Sequence, residues 1–257
     1  MDLYLKNKLF IVGGATSGFG QAITEQLIDE GAKVIAVART EEDLKAMRKS
    51  HIGIETVTAD LSEESAVVDI MKQIGSRVLT GAVINSGGPP AMPAMDTKLS
   101  DWDEAYRTVV RWKIALTQAM LPHMIEQGYG RLLFIESVST KQPVENLVLS
   151  NAMRLAVTGY VKTLSQEIGD SGVTLNILGP GYHATPRMEN LFAKNSELKG
   201  VSEEEIRKTF SERTAVKRIG DPEDFASLAL WLLSKHSGYI TGQTITVDGG
   251  LVKGTMG

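Results

Sequence analysis

Three absences limit what this sequence can be. None of the 257 residues is cysteine, which excludes disulfides, thiolate-bound metals and a cysteine nucleophile. No apolar run approaches the ~20 residues that span a bilayer, and residues 1–6 lack the apolar core of a signal peptide. The net charge is only -4 and the basic residues are dispersed. We therefore expect a cytoplasmic, soluble protein with no nucleic-acid or membrane partner.

What the sequence does contain is a regular alternation of strand-like and helix-like segments. Short, continuous apolar runs of this kind suit strands buried on both faces of a parallel sheet. They occur at residues 9–12, 34–37, 82–84, 132–135 and 173–178. Amphipathic stretches between them predict helices at residues 18–30, 41–49, 62–75, 103–127 and 147–169. A last helix is expected to start at Asp221, with Pro222 in its first turn.

This order predicts one α/β domain over residues 1–257, with a doubly wound parallel sheet flanked by helices. Ligands of such sheets bind in a crevice at the carboxyl ends of the strands. The sequence shows no linker, repeat or low-complexity segment. The polar stretch from Pro186 to Thr214 predicts a short helical excursion, a substrate lid around residues 186–215 over that crevice.

A glycine-rich turn follows the first predicted strand and opens the first helix. Glycines at such a turn let backbone N–H groups approach a pyrophosphate at the positive end of the helix. The residues of this turn predicted to bind a dinucleotide are Gly14, Thr16, Ser17, Gly18, Phe19 and Gly20.

Further motifs follow in order, and together with the turn they resemble the short-chain dehydrogenase/reductase family almost from end to end. The resemblance implies the Rossmann-type fold already predicted and adds cofactor contacts beyond the turn. Asp60 and Leu61 would border adenine, Asn85 and Gly87 match part of an Asn-Ala-Gly signature, and Pro180, Gly181 and Thr185 would meet the nicotinamide end. One departure is Gly13, where the family usually has threonine.

The residue after the second strand indicates the type of cofactor. A carboxylate there would bind the ribose hydroxyls of NAD(H), but this chain has Ala38 followed by Arg39. A guanidinium suits a 2′-phosphate through paired, charged hydrogen bonds. We therefore predict a preference for NADP(H). NAD(H) remains possible, because Arg39 as a solvated residue stacking on adenine would accept either nucleotide.

The catalytic residues of the family are largely replaced. The resemblance implies a serine that holds the substrate oxygen, a tyrosine acid, a lysine four residues later and a supporting asparagine. Ser137 matches the serine, but Ser150 stands at the tyrosine position, Arg154 at the lysine position and Val109 at the asparagine position. The stretch from Ser150 to Arg154 is similar to a divergent branch of the family that lacks the tyrosine–lysine pair.

The source of the proton is therefore open at this stage. A serine hydroxyl is a far weaker acid than a phenol, and arginine does not readily release its proton. The resemblance implies that Arg154 still binds the cofactor, through the ribose that the family's lysine holds. Lys141 lies in the loop after Ser137 and is a candidate catalytic residue, or else a solvated lysine. Tyr182 and His183 are candidates near the nicotinamide, or else line the lid, whereas Tyr160 lies too far along its helix.

These observations predict an oxidoreductase that acts on a carbonyl or hydroxyl group of a small molecule, with Ser137, Ser150, Arg154 and Lys141 as catalytic candidates. Two alternatives keep the same fold: a nucleotide-binding regulatory protein, and a lyase or epimerase that uses the nucleotide structurally. The cations Lys141 and Arg154 suggest an anionic substrate. The family resemblance implies a homotetramer or homodimer, with helices 103–127 and 147–169 at one interface.

Overall fold

Seven parallel strands form one sheet in a computed structural model, which describes residues 1–255. The strands are β1 (Leu9–Gly13), β2 (Lys33–Ala38), β3 (Glu55–Thr58), β4 (Leu79–Ile84), β5 (Gly130–Ile135), β6 (Val173–Pro180) and β7 (Thr244–Val247). Their order across the sheet is β3-β2-β1-β4-β5-β6-β7, and each neighbouring pair is parallel. The chain reverses direction across the sheet between β1 and β4, where a crevice opens at the strand ends.

Helices connect the strands and cover both faces of the sheet. They are α1 (Gly18–Asp29), α2 (Glu41–Ser50), α3 (Glu64–Ile74), α4 (Leu99–Ala105), α5 (Trp112–Glu126), α6 (Val148–Glu167), α7 (Pro186–Lys199), α8 (Glu203–Ser211) and α9 (Pro222–Leu233). Short 3₁₀ turns occur at Ala94–Asp96, Val138–Thr140 and Lys235–Ser237. The structure confirms the predicted doubly wound α/β fold.

Alternating strand residues point to two apolar layers, one on each side of the sheet. Ile11 of β1 belongs to the layer that contains Leu116 of α5, whereas its neighbour Phe10 packs in the layer with Leu27 of α1. Because both faces are covered, β1, β4 and β5 are buried along their whole length. This explains why each of these strands contains a continuous apolar run rather than an alternating pattern.

The prediction of one continuous α-helix over residues 103–127 is wrong. A π-helical segment, Tyr106–Arg111, separates α4 from α5. A π-helix inserts an extra residue into a turn, and such insertions often occur at functional sites. Val109 lies in this widened segment and is buried in the core. The periodicity of the sequence does not reveal this insertion, because the apolar spacing changes by only one residue.

Candidate active site

An open cleft of about 1910 Å³ lies at the carboxyl ends of the strands. Ligand pockets typically measure about 300–1,000 Å³, so the cleft has room for a dinucleotide and a second molecule. Most of the predicted cofactor and catalytic residues line it: Gly14, Thr16, Ser17, Gly18, Phe19, Arg39, Asp60, Leu61, Asn85, Gly87, Ser137, Ser150, Arg154, Pro180, Gly181 and Thr185. Gly20 and Lys141 are the two predicted residues outside this lining.

The turn between β1 and α1 has the geometry of a pyrophosphate cradle. Gly14 and Gly18 have φ of +59° and +55°, which favour glycine. A β-carbon on Gly20 would lie 2.1 Å from the carbonyl oxygen of Gly14, so Gly20 supports the turn from beneath. Ser17 occupies the N-cap of α1 without a side-chain hydrogen bond to the helix. The first-turn amides are thus left for an anionic ligand, and the residues present fit a dinucleotide.

The unusual glycine at position 13 follows from a close approach of β1 and β4. A β-carbon there would lie 2.6 Å from the carbonyl oxygen of Asn85. The amide Nδ2 of Asn85 in turn donates to the carbonyl oxygen of Gly13, at 3.1 Å. In this chain the side chain of Asn85 therefore ties the two strand ends together across the cleft.

At the adenosine end of the cleft, Arg39 follows β2 and is exposed. Within residues 1–255 its guanidinium forms no ion pair. Asp60 accepts hydrogen bonds from the backbone N–H and the hydroxyl of Ser62, at 2.9 and 2.7 Å. The Ser62 amide is the main cause that lowers the pKa of Asp60, and the charge of Arg39 contributes. A cation and an ionised carboxylate therefore stand beside the expected adenosine position.

The end of β6 supplies the opposite wall. Gly181 approaches Asp248 so closely that a β-carbon on the glycine would lie 2.6 Å from Cβ of Asp248. Thr185 is the N-cap of α7, where its hydroxyl accepts from the amide of Met188. Its side chain also lies 3.4 Å from the position of a β-carbon on Gly18. The starts of α1 and α7 thus meet at one point in the cleft.

Ser137, Ser150 and Arg154 come together where β5 and α6 meet the cleft. Nε of Arg154 donates to Oγ of Ser150 at 3.1 Å, one helical turn away. Oγ of Ser137 accepts from the amide of Ser139 at 3.1 Å and lies at the end of β5. Ser150 and Arg154 are both 6% exposed. Ser150 and Arg154 are therefore one hydrogen-bonded unit.

Two residues that the sequence did not single out hold this unit in place. Nη1 of Arg154 donates to a carboxylate oxygen of Glu136 at 3.0 Å and to its carbonyl oxygen at 2.9 Å. The other carboxylate oxygen accepts from Nζ of Lys113 on α5. All three side chains are almost completely buried. We call Lys113, Glu136 and Arg154 the buried ion network.

The buried ion network contains two cations and one carboxylate. Desolvation lowers the pKa of the Lys113 ammonium, and the charge of Glu136 opposes that shift. In the sequence, the only signal for the burial of Lys113 was its place on the apolar face of a helix, three residues before Leu116. Glu136 gave a similar signal, since it directly follows the apolar run at residues 132–135.

The other proton-donor candidates lie in different surroundings. Lys141 is exposed and outside the cleft lining. His183 packs against the rings of Phe19 and Phe225, at 5.1 and 5.8 Å between centroids, and burial lowers its pKa. Tyr160 packs on the core and burial raises its pKa.

Tyr182 lines the cleft and packs edge to face against Phe210 of α8, with 4.9 Å between the ring centroids. Among the described residues, Tyr160, Tyr182 and His183 form no hydrogen bond to Ser137 or Ser150.

Two negative findings apply to residues 1–255. No helix in that range combines the length and the apolar character needed to cross a membrane. The same range brings together no group of three or more histidine, aspartate or glutamate side chains suited to a metal ion.

Comparison with known proteins supports the geometry. A family model described as enoyl-(acyl carrier protein) reductase matches residues 14–252. The short-chain reductase protein NovJ of Streptomyces niveus is 30% identical over 250 residues, covering 93% of this chain and 92% of NovJ. The 3-oxoacyl-(acyl-carrier-protein) reductase FabG of Aquifex aeolicus is 28% identical over 258 residues, covering 98% and 100%.

Solved structures show the same fold. The L-sorbose reductase of Gluconobacter frateurii, complexed with NADPH and L-sorbose, superposes with a TM-score of 0.92 at 23% identity, covering 99% of this chain and 100% of that one. An actinorhodin polyketide ketoreductase solved with NADPH gives 0.87 at 28% identity, covering 96% and 98%. The fold, the glycine turn and the family match over residues 14–252 lead to one conclusion: this chain belongs to the short-chain dehydrogenase/reductase family.

Proposed function

We propose that the protein is an NADP(H)-preferring oxidoreductase that acts on a carbonyl or hydroxyl group of a small molecule. The observation that carries the proposal is the hydrogen bond between Arg154 and Ser150 beside Ser137, in the cleft that also holds the glycine turn. The relatives support it, because NovJ and FabG are named as reductases and two of the similar structures were solved with NADPH.

In this proposal a serine and a guanidinium replace the phenol of the family. When bound, the reduced cofactor supplies a hydride to the carbonyl carbon of the substrate. The hydroxyl of Ser137 would hold the carbonyl oxygen. Because Oγ of Ser150 already accepts from Arg154, its own proton is available to donate to that oxygen. The positive charge of Arg154 would stabilise the negative charge that develops there.

Ser150 is too weak an acid to supply the proton alone, so we assign it the role of a relay from water. The carboxylate of Glu136 holds Nη1 of Arg154 and so fixes the direction of the guanidinium. Glu136 and Lys113 are positioning residues in this scheme, since they act through Arg154. Lys141 has no role in it because its side chain lies outside the cleft lining.

The preference for NADP(H) rests on Arg39. Its guanidinium is exposed at the adenosine end and forms no ion pair within residues 1–255, which leaves its donors available to a 2′-phosphate. We expect NADPH to bind more tightly than NADH, and Arg39→Asp to reverse the order. Dissociation constants of both nucleotides, measured by fluorescence titration, test this. Tighter binding of NADH by the unmodified protein would contradict it.

We also propose that α7 and α8 act as the substrate lid expected around residues 186–215. Both helices contribute to the cleft wall, α7 through Met188 and Leu191 and α8 through Ile206 and Phe210. These apolar side chains share the wall with polar ones, among them Arg187, Asn190 and Lys194 of α7. Closure of the two helices over a bound substrate would exclude water from the reacting atoms.

The decisive experiment compares the unmodified protein with Ser150→Tyr/Arg154→Lys and Ser150→Ala. Each is supplied with NADPH and a panel of aldehydes and ketones, and NADPH oxidation is followed at saturating nucleotide. We expect turnover by the unmodified protein and a reduction of about 10²-fold or more in Ser150→Ala. Turnover only in the double variant would contradict the proposal and favour a nucleotide-binding regulatory protein.

A further inference from the structure

Two guanidinium groups converge on Gly88, just beyond the end of β4. A β-carbon built on Gly88 would lie 2.9 Å from Nη2 of Arg154 and 3.2 Å from Nη1 of Arg187. Gly88 does not have a positive φ, so its backbone conformation does not require glycine. The two guanidinium groups therefore both lie close to the position that a β-carbon of residue 88 would take.

The nitrogens that meet at Gly88 are free to bind a ligand. Arg154 uses Nη1 for Glu136 and Nε for Ser150, which leaves Nη2 directed toward Gly88. Arg187, in the first turn of α7, makes no hydrogen bond or ion pair within residues 1–255. Both residues line the cleft. The site thus presents two cations and no acidic partner at its centre.

The two charges act on each other. The pKa of Arg187 is lowered, first by desolvation and then by the positive charge of Arg154. An anion between the two guanidinium groups would relieve this repulsion. A planar carboxylate suits the site well, because guanidinium groups bind carboxylates through paired hydrogen bonds.

We propose that Arg154 and Arg187 together bind a carboxylate of the substrate, so that the protein acts on oxo acids or the corresponding hydroxy acids. This carboxylate site rests on the proposed function and specifies its substrate class. The two arginines have different roles in it. Arg154 joins the carboxylate to Ser150, with which it shares a hydrogen bond, whereas Arg187 contacts the carboxylate alone.

A phosphate of the cofactor is the competing occupant. The glycine turn and the amides of α1 already provide a pyrophosphate site, next to Thr185. Nη2 of Arg154 belongs to the same guanidinium whose Nε is bonded to Ser150. An anion at Gly88 would therefore lie beside the catalytic serines rather than at the glycine turn, as the substrate proposal requires.

The first test measures anion binding without chemistry. Protein saturated with NADP⁺ is titrated calorimetrically with oxalate, and with oxamide as the uncharged analogue of the same shape. We expect oxalate to bind, oxamide not to bind, and Arg187→Gln to weaken oxalate by at least about tenfold. Arg111→Gln is the matched control, since it removes a surface guanidinium that pairs with Glu64 outside the cleft. The proposal would be overturned if oxalate did not bind, or if Arg187→Gln and Arg111→Gln weakened oxalate binding equally.

The affinity for NADP⁺ is measured first in each variant. We expect Arg187→Gln to bind NADP⁺ as the unmodified protein does. A tenfold loss of NADP⁺ affinity would instead assign Arg187 to a cofactor phosphate and overturn the substrate assignment.

The second test compares 4-formylbenzoate with its methyl ester as substrates for NADPH oxidation. We expect a higher kcat/KM for the acid, and loss of that difference in Arg187→Gln. Oxalate binding without turnover of any compound would support the carboxylate site and contradict the proposed function. Equal turnover of acid and ester, with no oxalate binding, would support the function and overturn the carboxylate site.

Discussion

Glu136 is the single side chain on which the charge balance of the site depends. Its carboxylate is fully buried and accepts from both Lys113 and Arg154. Removing its charge in Glu136→Gln would leave two buried cations without a counter-charge. Breaking a buried pair in this way costs about 3–5 kcal/mol, so we expect the free energy of unfolding to fall by that amount. Urea unfolding at pH 7, followed by circular dichroism, measures it.

A double variant separates lost charge from lost packing. Lys113→Met/Glu136→Gln removes one cation together with the carboxylate, and we expect it to be more stable than Glu136→Gln alone. A free energy of unfolding of Glu136→Gln within about 0.5 kcal/mol of that of the unmodified protein would contradict the prediction.

His183 should make the stability of the protein depend on pH. Burial between Phe19 and Phe225 lowers its pKa below the usual 6.5, with only partial opposition from the carbonyl oxygen of Gly181 and the charge of Asp224. The unfolded chain then binds the proton more readily than the folded one, so stability falls as the pH drops below about 6.5.

We expect this contribution to be complete above about pH 6.5 and lost as the pH falls toward the lowered folded value. In His183→Phe the side chain stays aromatic but cannot titrate. Unfolding free energies of both proteins from pH 5 to 8 give the difference. Parallel pH profiles would contradict the prediction.

The close approach of strands β1 and β4 restricts which residue can stand at position 13, next to the cofactor turn. Gly13→Thr would place a β-carbon 2.6 Å from the carbonyl oxygen of Asn85. We expect a loss of about 1–3 kcal/mol of stability, because the backbone cannot yield as a flexible side chain can. Gly87→Ala is the matched control, since a β-carbon there meets nothing within 4 Å. Equal stabilities in thermal unfolding would contradict the prediction.

Elements whose signals are local were predictable from the sequence. The apolar runs identified strands, and Asp221 with Pro222 identified the start of α9, where a carboxylate oxygen of Asp224 accepts from the amide of Asp221. The turn residues of the cofactor site were found in the same way, because one contiguous motif contains them.

Contacts between distant elements were not predictable. Lys113 and Glu136 are 23 residues apart, and Glu136 and Arg154 are 18 apart, on three separate elements. Each residue alone is an ordinary charged residue in the sequence. These residues become neighbours only because α5 and α6 pack against β5. Arg154 and Arg187 likewise lie on different helices, α6 and α7, and approach each other at Gly88 only in the folded protein.

The molecule as a whole offers an outer surface on α6 that fits the expected homo-oligomer. Leu155 is 46% exposed there, and a β-carbon on Gly159 would meet nothing within 4 Å, so another helix has room to pack closely. We propose that this face pairs with a second copy. Gly159→Arg should lower the mass measured by light scattering after size exclusion, whereas Val68→Arg on α3 should not. An unmodified protein that is monomeric would contradict the proposal.

A nucleotide that contacts the glycine turn, the ends of β4 and β5 and the start of α7 should stabilise the entire fold, because binding requires all of these elements together. At 100 times the dissociation constant, NADP⁺ would add about 2.7 kcal/mol to the free energy of unfolding. For a chain of this length that corresponds to a rise of roughly 5–10 °C in the midpoint of thermal unfolding.

Gly20→Ala provides the test of where this stabilisation originates. A β-carbon on Gly20 would lie 2.1 Å from the carbonyl oxygen of Gly14, so the turn must open to accept it. We expect the variant to unfold at a lower temperature without nucleotide and to gain little or nothing from NADP⁺. The same NADP⁺-induced rise in both proteins, measured by scanning calorimetry, would place the nucleotide elsewhere. A rise in the unmodified protein alone would mean that the turn holds the cofactor, whatever group then delivers the proton.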